Sequence, residues 1–189
     1  MFIQTEDTPN PATLKFIPGQ VVLVEGAIHF SNAKEAEISP LASRIFSIPG
    51  IASVYFGYDF ITVGKDQYDW EHLRPPVLGM IMEHFISGDP IIHNGGLGDM
   101  KLDDMGSGDF IESDSAVVQR IKEVLDNRVR PAVARDGGDI VFKGYRDGIV
   151  FLSMRGACSG CPSASETLKY GVANILNHFV PEVKDIRTV

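Results

Sequence analysis

Cysteine is scarce in this sequence. Only two of the 189 residues are cysteines, which excludes a fold held together by several disulfide bonds. They are Cys158 and Cys161, and the two residues between them give the spacing C-x-x-C. An iron–sulfur cluster or a closed zinc site usually needs four protein ligands, so the thiolates of one chain form half a set. If they hold a metal centre, the sequence predicts that two copies of the chain share it.

Long apolar runs are also missing. No unbroken apolar stretch reaches the length of about 18 residues that a membrane-spanning helix needs, and the opening MFIQTED is mixed and acidic, unlike a secretory signal. We therefore expect an intracellular protein that makes no use of a membrane. The bacterial cytoplasm is the predicted location, and the mitochondrial matrix, for a mature mitochondrial protein, is the alternative. In such reducing compartments two close thiols favour metal binding or catalysis over a structural bridge.

Basic residues are outnumbered. The chain has 17 Lys and Arg against 25 Asp and Glu, a net charge of −8, which argues against a nucleic-acid-binding protein because such binding needs clustered positive charge. Residues 1–87 carry 5 basic and 10 acidic residues, residues 88–111 carry 1 and 5, and residues 112–189 carry 11 and 10. The part that bears the cysteines is therefore nearly neutral.

The middle of the chain predicts a division into two domains. Residues 88–111 are rich in Gly and Asp, a composition typical of a flexible linker. The hydrophobic content of 44% is enough for a core on each side. The prediction is two small α+β domains, at 1–87 and 112–189, joined by this linker.

The first domain shows strand and helix patterns but no constellation of metal ligands. Branched and aromatic residues predict strands at 14–17, 21–24, 27–30, 51–56 and 60–63. A short helix is predicted at 40–46, and a longer one after Asp69, which Pro75-Pro76 should kink or split. The five histidines of the whole chain are scattered, without an i, i+4 pair that would hold zinc on one helix face, so each is interpreted as structural or solvated.

The second domain places the cysteines between a hairpin and a helix. Its first helix, capped within Ser113-Asp114-Ser115, carries one apolar face (Val118, Ile121, Leu125, Val129) and should stop at Pro131. Residues 136–139 predict a turn, and Asp147-Gly148 predicts a hairpin between strands at 140–145 and 149–152. A final helix with apolar Leu168, Val172, Ile175, Leu176 and Phe179 ends at Pro181, and residues 183–189 predict an edge strand.

The position of the thiols favours reactivity without deciding its kind. Cys158 lies in a glycine-bearing loop, and Cys161 is at the start of the final helix, beside Pro162 as first helical residue or Ser163 as cap. A helix N-terminus stabilises a thiolate, which helps both metal ligation and redox attack. From the residues alone, a thiol–disulfide redox protein, a zinc-bridged homodimer and a pair of small buried residues all stay open, although the loop of thioredoxin-like proteins is absent.

Two motifs resemble a known family. The run Arg130-Pro-Ala-Val-Ala-Arg-Asp-Gly-Gly-Asp139, followed by Gly156-Ala-Cys-Ser-Gly-Cys-Pro-Ser163, is similar to the NifU C-terminal-type domain of Nfu iron–sulfur proteins. The opening, with Thr8-Pro-Asn-Pro11 and Leu14-Lys-Phe-Ile-Pro-Gly19, is similar to the start of the Nfu N-terminal domain. The resemblance covers nearly the whole chain except the linker.

The resemblance implies a maturation protein and not an enzyme. Such a protein holds a [4Fe-4S] cluster on Cys158 and Cys161 of each of two protomers, as a homodimer when loaded, and passes the cluster to apo-proteins. Its expected partners are apo iron–sulfur clients and upstream cluster assembly proteins. Sequence does not separate a scaffold that assembles clusters from a carrier that delivers them. Residues 136–139 match the family too, with an expected structural role as the turn that leads into the hairpin.

Overall fold

The computed structural model describes residues 2–24, 26–93, 116–159 and 162–189, with side chains from residue 169 onward in the last of these ranges. The chain divides into two compact units, Met1–Leu102 and Asp103–Val189. Each combines helices with its own sheet, which confirms the predicted α+β class. The domain limits at 87/88 and 111/112 stay predictions. Most of the predicted linker and the predicted caps at 113–115 lie outside the described residues.

The first unit is built on an antiparallel five-stranded sheet. The strands are β1 (Gln4–Asp7), β2 (Thr13–Ile17), β3 (Ile28–Phe30), β4 (Ile51–Phe56) and β5 (Ile61–Lys65). Their order across the sheet is β1-β2-β5-β4-β3, and each neighbouring pair is antiparallel. The hairpin of β4 and β5 was predicted; β1 was not.

Two α-helices pack on this sheet. A short 3₁₀ helix (Glu35–Ile38) precedes α1 (Pro40–Phe46), whose predicted limits are confirmed, and α2 spans Trp70–Ser87. Ser39 caps α1 because its side-chain oxygen accepts a hydrogen bond from the Ala42 amide at 3.1 Å. Residues of the strands, α1 and α2 share one core, which includes the aromatic residues Phe16, Phe30 and Phe56.

Of the predicted kink or split at Pro75-Pro76, the split is wrong, because helix α2 is continuous through these residues; the kink stays a prediction. Proline removes a backbone hydrogen bond wherever it stands inside a helix. Here both prolines are exposed, while Leu73, Val77 and Ile81 of the same helix are buried in the core. Tertiary packing of that buried face therefore holds the helix together.

The predicted strand at 21–24 is also wrong. The amides of Val22 and Leu23 both donate to the carbonyl oxygen of Tyr58, at 2.7 and 3.2 Å, in the turn between β4 and β5. Val22 and Leu23 are buried one after the other, while Val21 and Val24 are exposed. Residues 21–24, all of them described, therefore form a loop beside this turn and belong to none of the strands of the sheet.

The start of the predicted linker is held against the first unit. The Arg44 guanidinium pairs with Asp89 at 3.0 Å, and the Ser39 hydroxyl donates to the carbonyl oxygen of Ile91 at 2.6 Å. The amide of His93 donates to the carbonyl oxygen of Ile38 at 2.9 Å. Residues 89–93 therefore belong structurally with the first unit.

The second unit has a three-stranded sheet. The strands are β6 (Gly138–Arg146), β7 (Ile149–Gly156) and β8 (Asp185–Thr188), in the order β6-β7-β8. Strands β6 and β7 form an antiparallel hairpin, whereas β8 pairs with β7 in parallel after the long helix α5 (Pro162–Phe179). The predicted hairpin and the predicted edge strand are both confirmed.

The first helical segment of this unit runs past Pro131, so its predicted stop there is wrong. Helix α3 (Ala116–Val124) passes through a π-helical turn (Leu125–Val129) into α4 (Arg130–Arg135). Pro131 falls in the first turn of α4, directly after the π-helical turn. The predicted apolar face is buried as expected, and Val133 extends it by one more turn.

Candidate functional site

The hairpin brings two glycine-containing segments together at one end of the sheet of the second unit. Asp147 and Gly148 close the other end with φ of 54° and 86°, the left-handed pair of a tight hairpin turn. From there the strands pair back to Gly138 opposite Gly156, the last pair of the ladder. The turn at 136–137 and the loop that starts at Gly156 are therefore neighbours.

Cys158 lies in that loop and is buried. The loop leaves β7 at Gly156, whose φ of 63° suits a residue without Cβ. The amide of Ala157 donates to the carbonyl oxygen of Gly137 at 3.1 Å, and the amide of Ser159 donates to that of Gly156 at 3.0 Å. Cys158 is 8% exposed and is part of the hydrophobic core of the unit.

Gly138 is packed against Cys158. A Cβ added at Gly138 would overlap the Sγ atom of Cys158 and would stand 3.0 Å from the carbonyl oxygen of Arg155. Only a residue without a side chain leaves room for the thiol in its present position. The predicted turn is confirmed at 136–137, whereas 138 and 139, predicted as part of it, are the first residues of β6. The start of β6 therefore forms part of the surface on which the thiol packs.

Arg130 and Asp139 form a two-bonded ion pair next to this seat. Arg130 Nε and Nη2 donate to the two carboxylate oxygens of Asp139 at 2.9 and 3.0 Å, and Nη1 donates to Asp126 at 3.1 Å. Asp139 is buried, at 5% exposure. The hydrogen bonds that Arg130 donates to Asp139 raise the pKa of Arg130 above its ordinary value, against the opposing effect of burial. The guanidinium group therefore stays positively charged at any physiological pH.

The second cysteine lies outside the described residues. Gly160 and Cys161 are not described, so the distance between the two thiols is not part of the structure. Helix α5 begins at Pro162, directly after Cys161 in sequence, which confirms that the C-x-x-C segment joins β7 to a helix. The alternative cap, Ser163 with Glu166, concerns side chains that are not described.

The described part of the chain offers no further group of metal ligands. Within those residues, no group of three or more His, Cys, Asp or Glu side chains is placed to hold a metal ion. The same residues contain no helix with the length and apolar character that crossing a bilayer requires.

Comparison with known proteins assigns both units. The family model described as scaffold protein Nfu/NifU N terminal matches residues 3–88, and the NifU-like domain matches residues 121–187. The human protein named NFU1 iron-sulfur cluster scaffold homolog, mitochondrial, is 46% identical over 191 aligned residues, covering all of this chain and 72% of that protein. The chain belongs to the Nfu family. The Nfu relative of the same name from Drosophila ananassae is 47% identical, and the chain spans 64% of its length.

One solved structure also overlaps this Nfu chain. It is the solution NMR structure of a NifU-like protein from Saccharomyces cerevisiae, with a TM-score of 0.46 and 29% identity. The overlap covers 50% of this chain and 86% of that chain. The family assignment rests on the sequence relatives.

Two features of the Nfu site could not be read from the sequence. The Arg130–Asp139 pair joins residues nine positions apart, and no local sequence pattern predicts it. The contact between Gly138 and Cys158 joins residues 20 positions apart and depends on the register of the hairpin. The one available signal was Asp139 itself, an acidic residue directly before an apolar run.

Proposed function

We propose that this chain binds an iron–sulfur cluster through Cys158 and Cys161 and passes it to apo-proteins. One observation carries the proposal: the chain's only two cysteines form a C-x-x-C segment between β7 and α5, inside the region that matches the NifU-like domain. The curated relatives are named as iron-sulfur cluster scaffolds. The cluster is cargo, and we propose that the chain is not an enzyme.

The ligand count supports a cluster shared by two copies. Cysteine thiolates hold a [4Fe-4S] cluster in sets of four, and one chain has two. We propose a homodimer in the loaded state, with Cys158 and Cys161 of each protomer as ligands. A cluster at such an interface is reachable by an incoming client, whose thiolates can replace these ligands one at a time.

The seat of Cys158 gives the binding step a structural requirement. The thiol is packed in the core of one chain, against Gly138. A cluster shared with a second copy requires this thiol to leave that packing and to lose its proton. Cys161, directly before Pro162 of α5 in sequence, is favoured as a thiolate because the helix dipole is positive at the helix N-terminus.

The partners and location follow from the same proposal. The expected partners are apo iron–sulfur clients and upstream cluster assembly proteins, and the first unit is proposed to recognise some of them. The relatives are named mitochondrial, which supports the matrix alternative over the bacterial cytoplasm. Both locations are reducing and keep the thiols available.

Anaerobic reconstitution with iron and sulfide tests the proposal. We expect about four irons and four sulfides per dimer, the content of one [4Fe-4S] cluster, and a change from monomer to dimer on loading, measured by metal and sulfide analysis with size-exclusion chromatography. Stoichiometric zinc without iron would instead identify a zinc-bridged homodimer. A reversible Cys158–Cys161 disulfide without bound metal would identify a thiol–disulfide redox protein.

A further inference from the structure

The ion pair between Arg130 and Asp139 joins a helix to the strand beside the cysteine loop. Arg130 is the first residue of α4, and Asp139 is the second residue of β6. Both carboxylate oxygens of Asp139 accept hydrogen bonds from the guanidinium group. Charge-assisted bonds in this planar, two-bonded geometry are among the strongest in proteins and fix the orientation of both partners.

The guanidinium group of Arg130 is also bound on its other side. A third nitrogen of Arg130, Nη1, donates to Asp126 of the preceding π-helical turn at 3.1 Å. The guanidinium group is therefore anchored by the helical segment on one side and binds the strand on the other. Lysine would keep the positive charge but would lose the planar fork.

Four contacts link the start of β6, where Asp139 lies, to the loop that bears the thiol. Gly138, its neighbour in sequence, pairs with Gly156 and is packed against Cys158 Sγ. On the other side of Gly138, the carbonyl oxygen of Gly137 accepts the hydrogen bond of the Ala157 amide at 3.1 Å. Asp139 also lies opposite Arg155, the residue before Gly156. A shift of the first residues of β6 would therefore displace the residues against which Cys158 packs.

We propose that Arg130 is a positioning residue for Cys158. Through its fork on Asp139 it fixes the start of β6, which holds the loop at 156–158 and keeps the thiol in its buried seat until a cluster is bound. The relevance to cluster handling rests on the proposed function, in which Cys158 is a ligand. The positioning itself is a property of the cluster-free chain and is testable there.

Arg130→Lys in the full-length chain tests this role. Arg120→Lys is the matched control. It makes the same substitution in another ion pair of the same unit, between Arg120 and Glu182. Labelling of Cys158 by iodoacetamide is followed in the cluster-free protein at one fixed pH, with fragmentation mass spectrometry separating Cys158 from Cys161. Loss of one strong charge-assisted contact should speed labelling of Cys158 by about tenfold or more, whereas Arg120→Lys should leave its rate near that of the unaltered chain.

Hydrogen exchange separates positioning from general stability. A positioning role predicts faster amide exchange at 137–139 and 156–159 in Arg130→Lys, with exchange in α5 and β8 unchanged. Equal labelling rates in the two variants would overturn the proposal, and so would faster exchange throughout the unit.

The experiment distinguishes failure of the proposed function from failure of the positioning role. If the unaltered chain holds no iron and sulfide, the proposed function fails, but the labelling rates still decide whether Arg130 positions Cys158. If the unaltered chain is loaded normally and Arg130→Lys matches the control in labelling and exchange, only the positioning role fails.

Discussion

Gly138 and Cys158 touch across the end of the β6–β7 hairpin, and no other residue type fits at position 138 without displacing the thiol. Gly138→Ala should therefore push Cys158 out of its seat. We expect a loss of about 1–3 kcal/mol in the stability of the second unit, typical of overpacking, together with faster labelling of Cys158.

Gly171→Ala is the matched control for that change. Gly171 lies in α5 of the same unit, and a Cβ there meets no atom within 4 Å. Removing a glycine from a helix interior should raise stability by about 0.5–1 kcal/mol. Thermal unfolding measured by circular dichroism compares the two variants; a Gly138→Ala chain as stable as Gly171→Ala would contradict the close contact.

Cys161→Ala should leave the fold intact and abolish cluster binding, because a dimer of this variant offers two thiolates instead of four. Ser159→Ala, in the same loop, provides a control that keeps both thiols. Iron and sulfide analysis after reconstitution gives the result. Retention of a full cluster by Cys161→Ala would rule out the four-thiolate site.

The hairpin turn sets the register that brings Gly138 opposite Gly156. Gly148 has a φ of 86°, and a Cβ there would meet the Lys184 side chain at 2.9 Å and the carbonyl oxygen of Glu182 at 3.2 Å. Gly148→Ala should cost about 1–2 kcal/mol, since a left-handed conformation disfavours a side chain. Asp147→Gly, at the adjacent left-handed position, should be close to neutral. Urea unfolding followed by circular dichroism measures both; equal stabilities would show that the turn does not determine the register.

The first unit should lose stability in mild acid through His84. This residue is fully buried in α2, and neither ring nitrogen has a hydrogen-bond partner among the described residues. Burial lowers its pKa below 6.5, the nearby Arg44 guanidinium lowers it further, and Asp89 opposes this. Above pH 6.5 the imidazole is neutral in both folded and unfolded chains, so the full stability is present. As the pH falls through that value, the unfolded chain gains a proton that the folded chain excludes, and stability drops by up to about 1.4 kcal/mol per pH unit.

Replacing His84 should remove this pH dependence. The chain's single tryptophan, Trp70, also lies in α2, so its fluorescence during urea unfolding reports on the first unit alone. His84→Leu should flatten the profile between pH 6.5 and the folded pKa of the imidazole. His72→Leu, at an exposed position of the same helix, should follow the unaltered chain. Parallel profiles for His84→Leu and the unaltered chain would exclude the buried imidazole as the cause.

Deleting residues 1–93 should spare cluster binding and slow transfer to some client proteins. Residues 89–93 are included because they contact the first unit. The remaining chain keeps both cysteines and the whole NifU-like match. Transfer is followed by the activity recovered in apo-clients. Unchanged transfer to every client tested would refute a recognition role for the first unit.

Local chemistry made much of the fold predictable. Asp147-Gly148 marked the hairpin, because these residue types satisfy the left-handed backbone that its turn requires. The C-x-x-C segment was recognisable for a similar reason, since spacing and ligand chemistry are both properties of the sequence. Its setting between β7 and α5 followed from the hairpin pattern.

Most of the features that the sequence did not predict depend on contacts between residues that are far apart in sequence. Val21–Val24 has strand composition, but its inner amides bind the carbonyl oxygen of Tyr58, 35 or more positions away in sequence. Proline usually ends a regular α-helix, but here a π-helical turn precedes Pro131, which lies in the first turn of the next helix, α4. The Arg130–Asp139 fork and the fit of Gly138 to Cys158 likewise depend on three-dimensional register, which no single residue reveals.

The parallel pairing of β8 with β7 has a consequence for folding order. The β6–β7 hairpin joins residues that are close in sequence, so it can form early, whereas β8 must return along the whole of α5 before it can pair. Until then β7 has one open edge and Cys158 lies beside an incomplete core. We therefore expect the thiol of a newly made chain to be most exposed to oxidants and to stray metal ions before the last strand closes the sheet.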